Sequence, residues 1–256
     1  MTESSLASRL TKVLTTIAVP FRYPLAMVRN PPYLSGRSYH EDLNRAREYV
    51  GSNEISGEVQ LGLLMRVGLR PSSHVLEIGC GCLSAGLPIV RYLDAGHYVG
   101  IDPNVWLRRT VMRTAAVRAV VVRKLPTFLS NDAFDASALG RSFDFVLSHS
   151  VLSHAAYWQL ELYLRNVRRV LKPTGVVLAS LRLAEGNQHG SSGTPDRADS
   201  RDDAWVYPGV SWFTSATIAA TARDVGLRAI HLPDFTVHYI ERRPQEFHDW
   251  FRFEHA

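Results

Sequence analysis

The sequence predicts a parallel α/β fold, and three observations carry that expectation. An apolar strand, Val75–Ile78, runs into a glycine-bearing turn, Gly79-Cys80-Gly81-Cys82, with a helix after it. About twenty residues later a second apolar strand, Tyr98–Ile101, ends on the carboxylate of Asp102. From His74 onward strand-like runs alternate with helical patterns, which implies parallel strands covered by helices on both faces.

The elements follow in order. The helix after the glycine turn carries Leu87, Ile89, Val90 and Leu93, and a second begins near Val105 after the second strand. Two runs compete for strand three, Val120–Val122 and Thr127–Leu129. The second is preferred because it delivers Asn131-Asp132 to its carboxyl end. Strand four is Phe143–Leu147, and the helix behind it repeats Leu160, Leu164, Val167 and Leu171 on one face. Lys172-Pro173-Thr174-Gly175 reads as a tight turn into strand five, Val176–Ser180. Residues 185–204 are polar, rich in Gly, Ser and Asp, and without periodicity, so they are expected to form a mobile loop or lid. Thr214 or Ser215 caps a helix ending at Gly226, and the last strands lie near Leu227–Leu232 and Phe247–Phe253.

Ahead of this domain, assigned to residues 71–256, residues 1–70 read as a helical, loop-rich cap. Pro20, Pro24, Pro31 and Pro32 break its first part into short pieces among aromatic residues. A helix follows from about Glu54 to Val67, stopped by Gly68 and Pro71. Leu6, Leu10, Val13, Leu14 and Ile17 form a helical stripe ended by Pro20. That stripe reads as a packing face, on the protein's own body or in a homodimer, with peripheral membrane contact as the alternative.

Composition narrows the function classes. The 256 residues carry a net charge of +5, and the basic residues are dispersed. The modest concentration between Arg108 and Lys124 reads as the solvated face of a helix rather than a nucleic-acid patch. The two cysteines, Cys80 and Cys82, both lie in the glycine turn. They exclude a disulfide framework, agree with a reducing cytoplasm, and are too few for a typical metal site, so no metal is expected. No apolar run approaches the roughly 20 residues that span a bilayer.

In open parallel sheets ligands bind beyond the carboxyl ends of the strands, where each candidate polar residue falls. Gly79 and Gly81 remove side chains where a ligand meets backbone, and the following helix start offers N–H groups to a carboxylate. Asp102 can accept two hydrogen bonds from a ribose diol, Asp132 can accept from an adenine amino group, and Ser148 can meet an amino-acid moiety. Glu77-Ile78-Gly79-Cys80-Gly81, Asp102, Asn131-Asp132 and Phe143–Ser148 resemble, in order and spacing, the motifs of class I S-adenosylmethionine (SAM) dependent methyltransferases. Val151-Leu152-Ser153-His154 is similar to their V-L-x-H segment, and Leu171–Gly175 to their L-K-P-G-G turn. The likeness is strong over residues 70–180 and loose over 205–256.

The resemblance implies a Rossmann-like, seven-stranded, mostly parallel sheet with a reversed final hairpin, SAM as cofactor, and methyl transfer. It implies cofactor contacts at Glu77, Gly79, Cys80, Gly81, Asp102, Asn131, Asp132 and Ser148. Two positions depart from the pattern. Leu83 replaces the third glycine, with Gly86 expected to give the close helix packing instead, and Thr174 stands where glycine is common. A dinucleotide fingerprint would need glycine or alanine at position 84, where Ser84 stands.

The acceptor side is less marked. His149 follows Ser148 and carries an imidazole, which titrates near neutral pH, so it is the candidate base or a substrate-orienting residue. His154 is expected at a helix start in a structural role, with substrate contact as the alternative. Tyr33, Tyr39 and His40 are the cap residues chosen to roof the acceptor. Such a lining favours O-methylation of a small molecule, a lipid or a glycosylated metabolite. RNA or protein methylation, or SAM binding without transfer, are the other readings; no nucleic-acid module is visible.

Overall fold

A computed structural model describes residues 39–50, 54–191, 197–198, 209–242 and 248–256. The N-terminal stripe, the first prolines and Tyr33 lie outside the described residues. The chain divides into two compact units, residues 1–132 and 133–256.

The first unit contains α1 (Tyr39–Val50), α2 (Glu54–Arg66), β1 (Val75–Ile78), α3 (Gly86–Tyr92), β2 (Tyr98–Ile101), α4 (Val105–Val111), α5 (Ala115–Lys124) and β3 (Thr127–Leu129). Gly68, at φ +99°, ends the helical segment as expected. Its own amide and that of Leu69 turn back to the carbonyls of Met65 and Leu64. β1 pairs in parallel with β2, and β2 with β3, with Val75 opposite Tyr98 and Val99 opposite Thr127. Every residue of β1 and β2 is buried, as befits strands covered on both faces.

The rejected strand, Val120–Val122, lies inside α5, where Val120 and Val121 are buried at helical spacing. One expectation fails here. Arg108 is not on a solvated face: α4 buries it at 1% exposure together with Leu107 and Val111. Arg109, Arg113, Arg118 and Arg123 remain exposed.

The second unit contains β4 (Phe143–Ser148), α6 (Tyr157–Val170), β5 (Leu171–Leu181), β6 (Gln188–Ser191), β7 (Arg197–Ala198), β8 (Gly209–Trp212), α7 (Ser215–Asp224), β9 (Leu227–His231), α8 (Pro233–Arg242) and β10 (Asp249–His255). β4 and β5 are parallel, whereas β10 runs antiparallel to both β5 and β9. Seven strands form one mixed sheet in the order β3-β2-β1-β4-β5-β10-β9.

Three corrections belong to this unit. Leu171 begins β5 rather than ending α6. The Lys172–Gly175 turn lies within β5 as an irregularity in its pairing: from Phe143 to Phe145 on β4, the partner moves from Leu171 to Val176. The segment 185–204, expected as a loop, contributes β6 and β7, which join β8 in a three-stranded antiparallel sheet. α8 also went unforeseen, although Phe235 and Tyr239 are buried four residues apart on it. Among the described residues no helix is long and apolar enough to cross a membrane.

Thr214 caps α7, its side chain accepting from the Thr217 amide at 3.0 Å. Thr214→Ala is expected to cost about 1 kcal/mol of stability in urea denaturation. A loss within experimental error would show that this cap contributes nothing.

Candidate active site

The glycine turn is clamped to the end of β2. The amides of Gly79 and Cys80 both donate to the Ile101 carbonyl, at 2.8 and 3.1 Å. Gly81 N–H donates to Asp102 Oδ2 at 2.9 Å, and Asn104 N–H to Asp102 Oδ1 at 2.7 Å. Gly79 and Gly81 take φ of +80° and +47°. A Cβ on Gly81 would lie 2.9 Å from Cγ1 of Val50, so the C-terminal end of α1 packs on this turn. Tyr39 and His40 begin that same helix, about 16 Å along its axis from Val50.

Leu83, the residue in place of the third glycine, also adopts a left-handed backbone, φ +61°. An L-residue pays roughly 1–2 kcal/mol for that geometry, and here a fully packed leucine side chain, 2% exposed, holds it in place. Gly86 supplies the close approach instead. A Cβ there would lie 2.4 Å from the Tyr98 hydroxyl and 2.9 Å from Glu77 Oε2.

Those two atoms form the central buried contact of the unit, Tyr98 Oη donating to Glu77 Oε2 at 2.5 Å. The parallel register explains it. Glu77 lies opposite Gly100, and Tyr98 shares a face with Gly100 two residues away. Burial raises the Glu77 carboxyl to about 7; the Tyr98 hydrogen bond opposes this and the Asp102 charge adds to it. Burial likewise raises Asp102, against the Asn104 and Gly81 amides and the positive charge of Arg108. Arg108 lies over the Phe128 ring, 5.1 Å from its centroid. The Cys80 thiol is buried and pushed up by desolvation, so it behaves as a small apolar filler beside Gly100.

Asn131 is buried after β3. Asp132 Oδ2 is buried without a hydrogen-bond partner among the described residues, and burial raises this carboxyl too. An orphaned acceptor of this kind suits an incoming N–H donor. Asp102 uses one acceptor position on each oxygen for backbone, and each oxygen retains another. The residues present therefore fit a ligand with a ribose diol and an amino group.

In the second unit Ser148 ends β4 fully buried. His149 is half-exposed, and its Nε2 lies 2.6 Å from the hydroxyl of Tyr239. Its ring is parallel to Trp250 within 9° and has the His248 ring at 5.2 Å. His154 closes a short 3-10 turn, Leu152–His154, ahead of α6. The sequence reading missed Tyr98, Arg108, Tyr239 and Trp250. Tyr98 could have been found from the register of two parallel strands. Tyr239 and Trp250 carry no local signal, being 90 and 101 residues from His149.

Residues 76–177 match the family model described as a methyltransferase domain. The sterol 24-C-methyltransferase erg6 of Aspergillus fumigatus is 32% identical over 114 residues, covering 44% of this chain and 29% of that protein. The sterol 24-C-methyltransferase erg-4 of Neurospora crassa is 25% identical over 203 residues, covering 79% and 48%. The chain thus spans less than half the length of these curated relatives. Among solved structures, the CcbJ methyltransferase from Streptomyces caelestis has a TM-score of 0.54 at 16% identity, covering 78% of this chain and 90% of that one. DesVI from Streptomyces venezuelae has a TM-score of 0.55 at 16% identity, covering 86% and 100%. These structures share the fold.

The buried Glu77 makes a pH prediction. Its folded carboxyl titrates near 7, against an ordinary value of 4.5. Between those values the folded state binds more protons than the unfolded state, so this contribution is full below the lower value and lost as pH rises through the upper one. Glu77→Gln keeps an acceptor for Tyr98 and removes the titration. Its stability relative to the parent is expected to rise by about 3 kcal/mol from acid to mildly alkaline pH in urea melts. A pH-independent difference would mean that Glu77 titrates alike in the folded and unfolded chain.

Residues 76–177 match the methyltransferase-domain model, and the strand order and the clamped glycine turn agree with that likeness.

Proposed function

We propose that this chain transfers the methyl group of SAM to a small molecule, a lipid or a glycosylated metabolite, at a hydroxyl oxygen. The observation that carries the reading is the buried Asp102 carboxylate, which seats the glycine turn and keeps acceptor capacity for a ribose diol. Asp132 supplies a second, unpartnered acceptor for the adenine amino group. Gly79, Cys80 and Gly81 bring backbone against the cofactor. Glu77 shapes that turn from beneath, Asn131 adjoins the base, and Ser148 meets the amino-acid part. When bound, the cofactor supplies an electrophilic methyl on a sulfonium.

The chain's own residues then have to orient the acceptor, exclude water and remove a proton. His149, half-exposed at the end of β4, is the group assigned to take the hydroxyl proton. Tyr33, Tyr39, His40 and His154 are retained as candidate acceptor contacts. The names of the two fungal relatives support a lipid-like acceptor, and they also name a carbon as the methylated atom. Methylation at carbon is therefore the second reading.

Isothermal titration and an acceptor panel test the proposal. Asp132→Ala is expected to weaken SAM binding about tenfold, the worth of one buried hydrogen bond to a charged acceptor. His149→Ala is expected to leave SAM affinity unchanged and to lower turnover about 10²–10⁴-fold on a hydroxylated acceptor. The panel holds hydroxylated lipids and metabolites, a sterol read for carbon methylation, and RNA. Undiminished turnover in His149→Ala removes the base. Tight SAM binding without any acceptor would favour a binding subunit.

A further inference from the structure

We propose that Arg108 is a positioning residue for the cofactor's ribose: its buried guanidinium is the counter-charge that keeps Asp102 a carboxylate, the form that accepts the diol. The inference rests on the methyl-transfer reading above and assigns the charge on which its ribose contact depends.

The sheet explains how Arg108 comes near the glycine turn. Glu77 and Phe128 both stand opposite Gly100, one on each neighbouring strand. Residues opposite one another in a parallel ladder share a face, and Tyr98 joins them two residues along β2. A Cβ on Gly100 would lie 2.8 Å from Cys80 Sγ and 3.2 Å from Phe128 Cδ1, so this glycine lets the turn close onto the Phe128 ring. Arg108 reaches the same ring from α4, its Cζ 5.1 Å from the centroid. Asp102 follows at the end of β2, its amide donating to the carbonyl of Leu129, next in sequence to Phe128.

Packing does not call for a guanidinium at this place. An apolar side chain would cover Phe128 without the cost of taking a charge out of water. Hydrogen bonding does not account for it either, because Nε and Nη1 of Arg108 are buried without a partner among the described residues. Charge does account for it. Asp102 and Arg108 each favour the charged form of the other, within a buried cluster where water screens little.

Charge accounting selects Asp102 as the anion. The other charged or titratable groups acting on the pair are Glu77 of β1, Cys80 of the turn, Tyr98 of β2 and the exposed Arg109 of α4. Cys80 and Tyr98 keep their protons, since burial pushes both well up. Glu77 receives one hydroxyl donor, from Tyr98, and burial raises its carboxyl to about 7. Asp102 receives two amides, from Gly81 and Asn104, and has the guanidinium beside them. The donors and the cation favour ionisation at Asp102, so Glu77 is the carboxyl that takes up a proton. Without the guanidinium, Asp102 holds its own proton to higher pH. A protonated carboxyl turns one acceptor position into a donor, so ribose binding weakens on the acid side and recovers as pH rises.

Carboxyl carbon-13 NMR on the full chain with labelled aspartate follows Asp102 directly, its signal assigned by absence in Asp102→Asn. Arg108→Met is expected to raise the Asp102 midpoint by about one pH unit or more, and Arg108→Lys to recover most of that shift. Calorimetric titration with the demethylated cofactor, S-adenosylhomocysteine, is run in the Glu77→Gln background, which removes the competing titration. There Arg108→Met is expected to bind about tenfold more weakly toward acid pH, one unit of midpoint being a factor of ten, and equally well above the shifted midpoint. Should Arg108→Met fail to fold, Arg108→Gln carries the same comparison. An Asp102 midpoint unmoved by loss of the guanidinium would overturn the proposal, as would level affinity across a shifted titration. If the parent binds no S-adenosylhomocysteine at any pH, the ribose contact falls together with the methyl-transfer reading, and the carboxyl titration still decides the pairing of Arg108 with Asp102.

Discussion

The first unit depends on one constraint, the closeness of the glycine turn to the end of β2. Two successive amides share the Ile101 carbonyl, and a third is taken by the adjoining carboxylate. Such closeness is available only where side chains are missing or point away, which is why the left-handed positions at 79 and 81 are glycine. Leu83 shows the same constraint from the other side. The turn demands a left-handed residue there, and a buried leucine meets the demand through packing rather than through conformational freedom.

Beneath the turn the protein accepts a costly arrangement. Glu77, Asp102, Tyr98 and Arg108 are all buried together. Isolated, each charge would strongly disfavour folding. They are tolerated because Tyr98 donates to Glu77, because two amides donate to Asp102, and because the guanidinium of Arg108 stands against the negative charge. Proton uptake by Glu77 relieves the remainder, and this couples the packing of the turn to pH. The second unit solves a different problem. It buries a hydrogen-bonded polar chain, in which Ser150 N–H donates to Ser180 Oγ and that oxygen lies 3.0 Å from His248 Nδ1.

Much of the fold was legible from local signals. Thr127–Leu129 was separable from Val120–Val122 by the polar residues it delivers, and Thr214 and Gly68 announced their helix ends. The strands of 185–204 were not legible, because their polar composition lacks the alternation that marks a half-buried strand; β6 is instead recognised by antiparallel pairing with β7 and β8. Val176 resumes the pairing with β4 after Lys172–Gly175, and only the partner strand shows that Leu171 before them is paired as well.

By itself the sequence determined the first five strands of the α/β region, the glycine turn, and the carboxylates that end strands two and three. Each is a local matter of periodicity, backbone freedom or spacing along one strand. Only the tertiary structure decided that Arg108 is buried, that Tyr98 answers Glu77, and that Tyr239 and Trp250 enclose His149. Those relations join residues through register and packing, and contacts made across 90 residues of chain leave no period or motif to read.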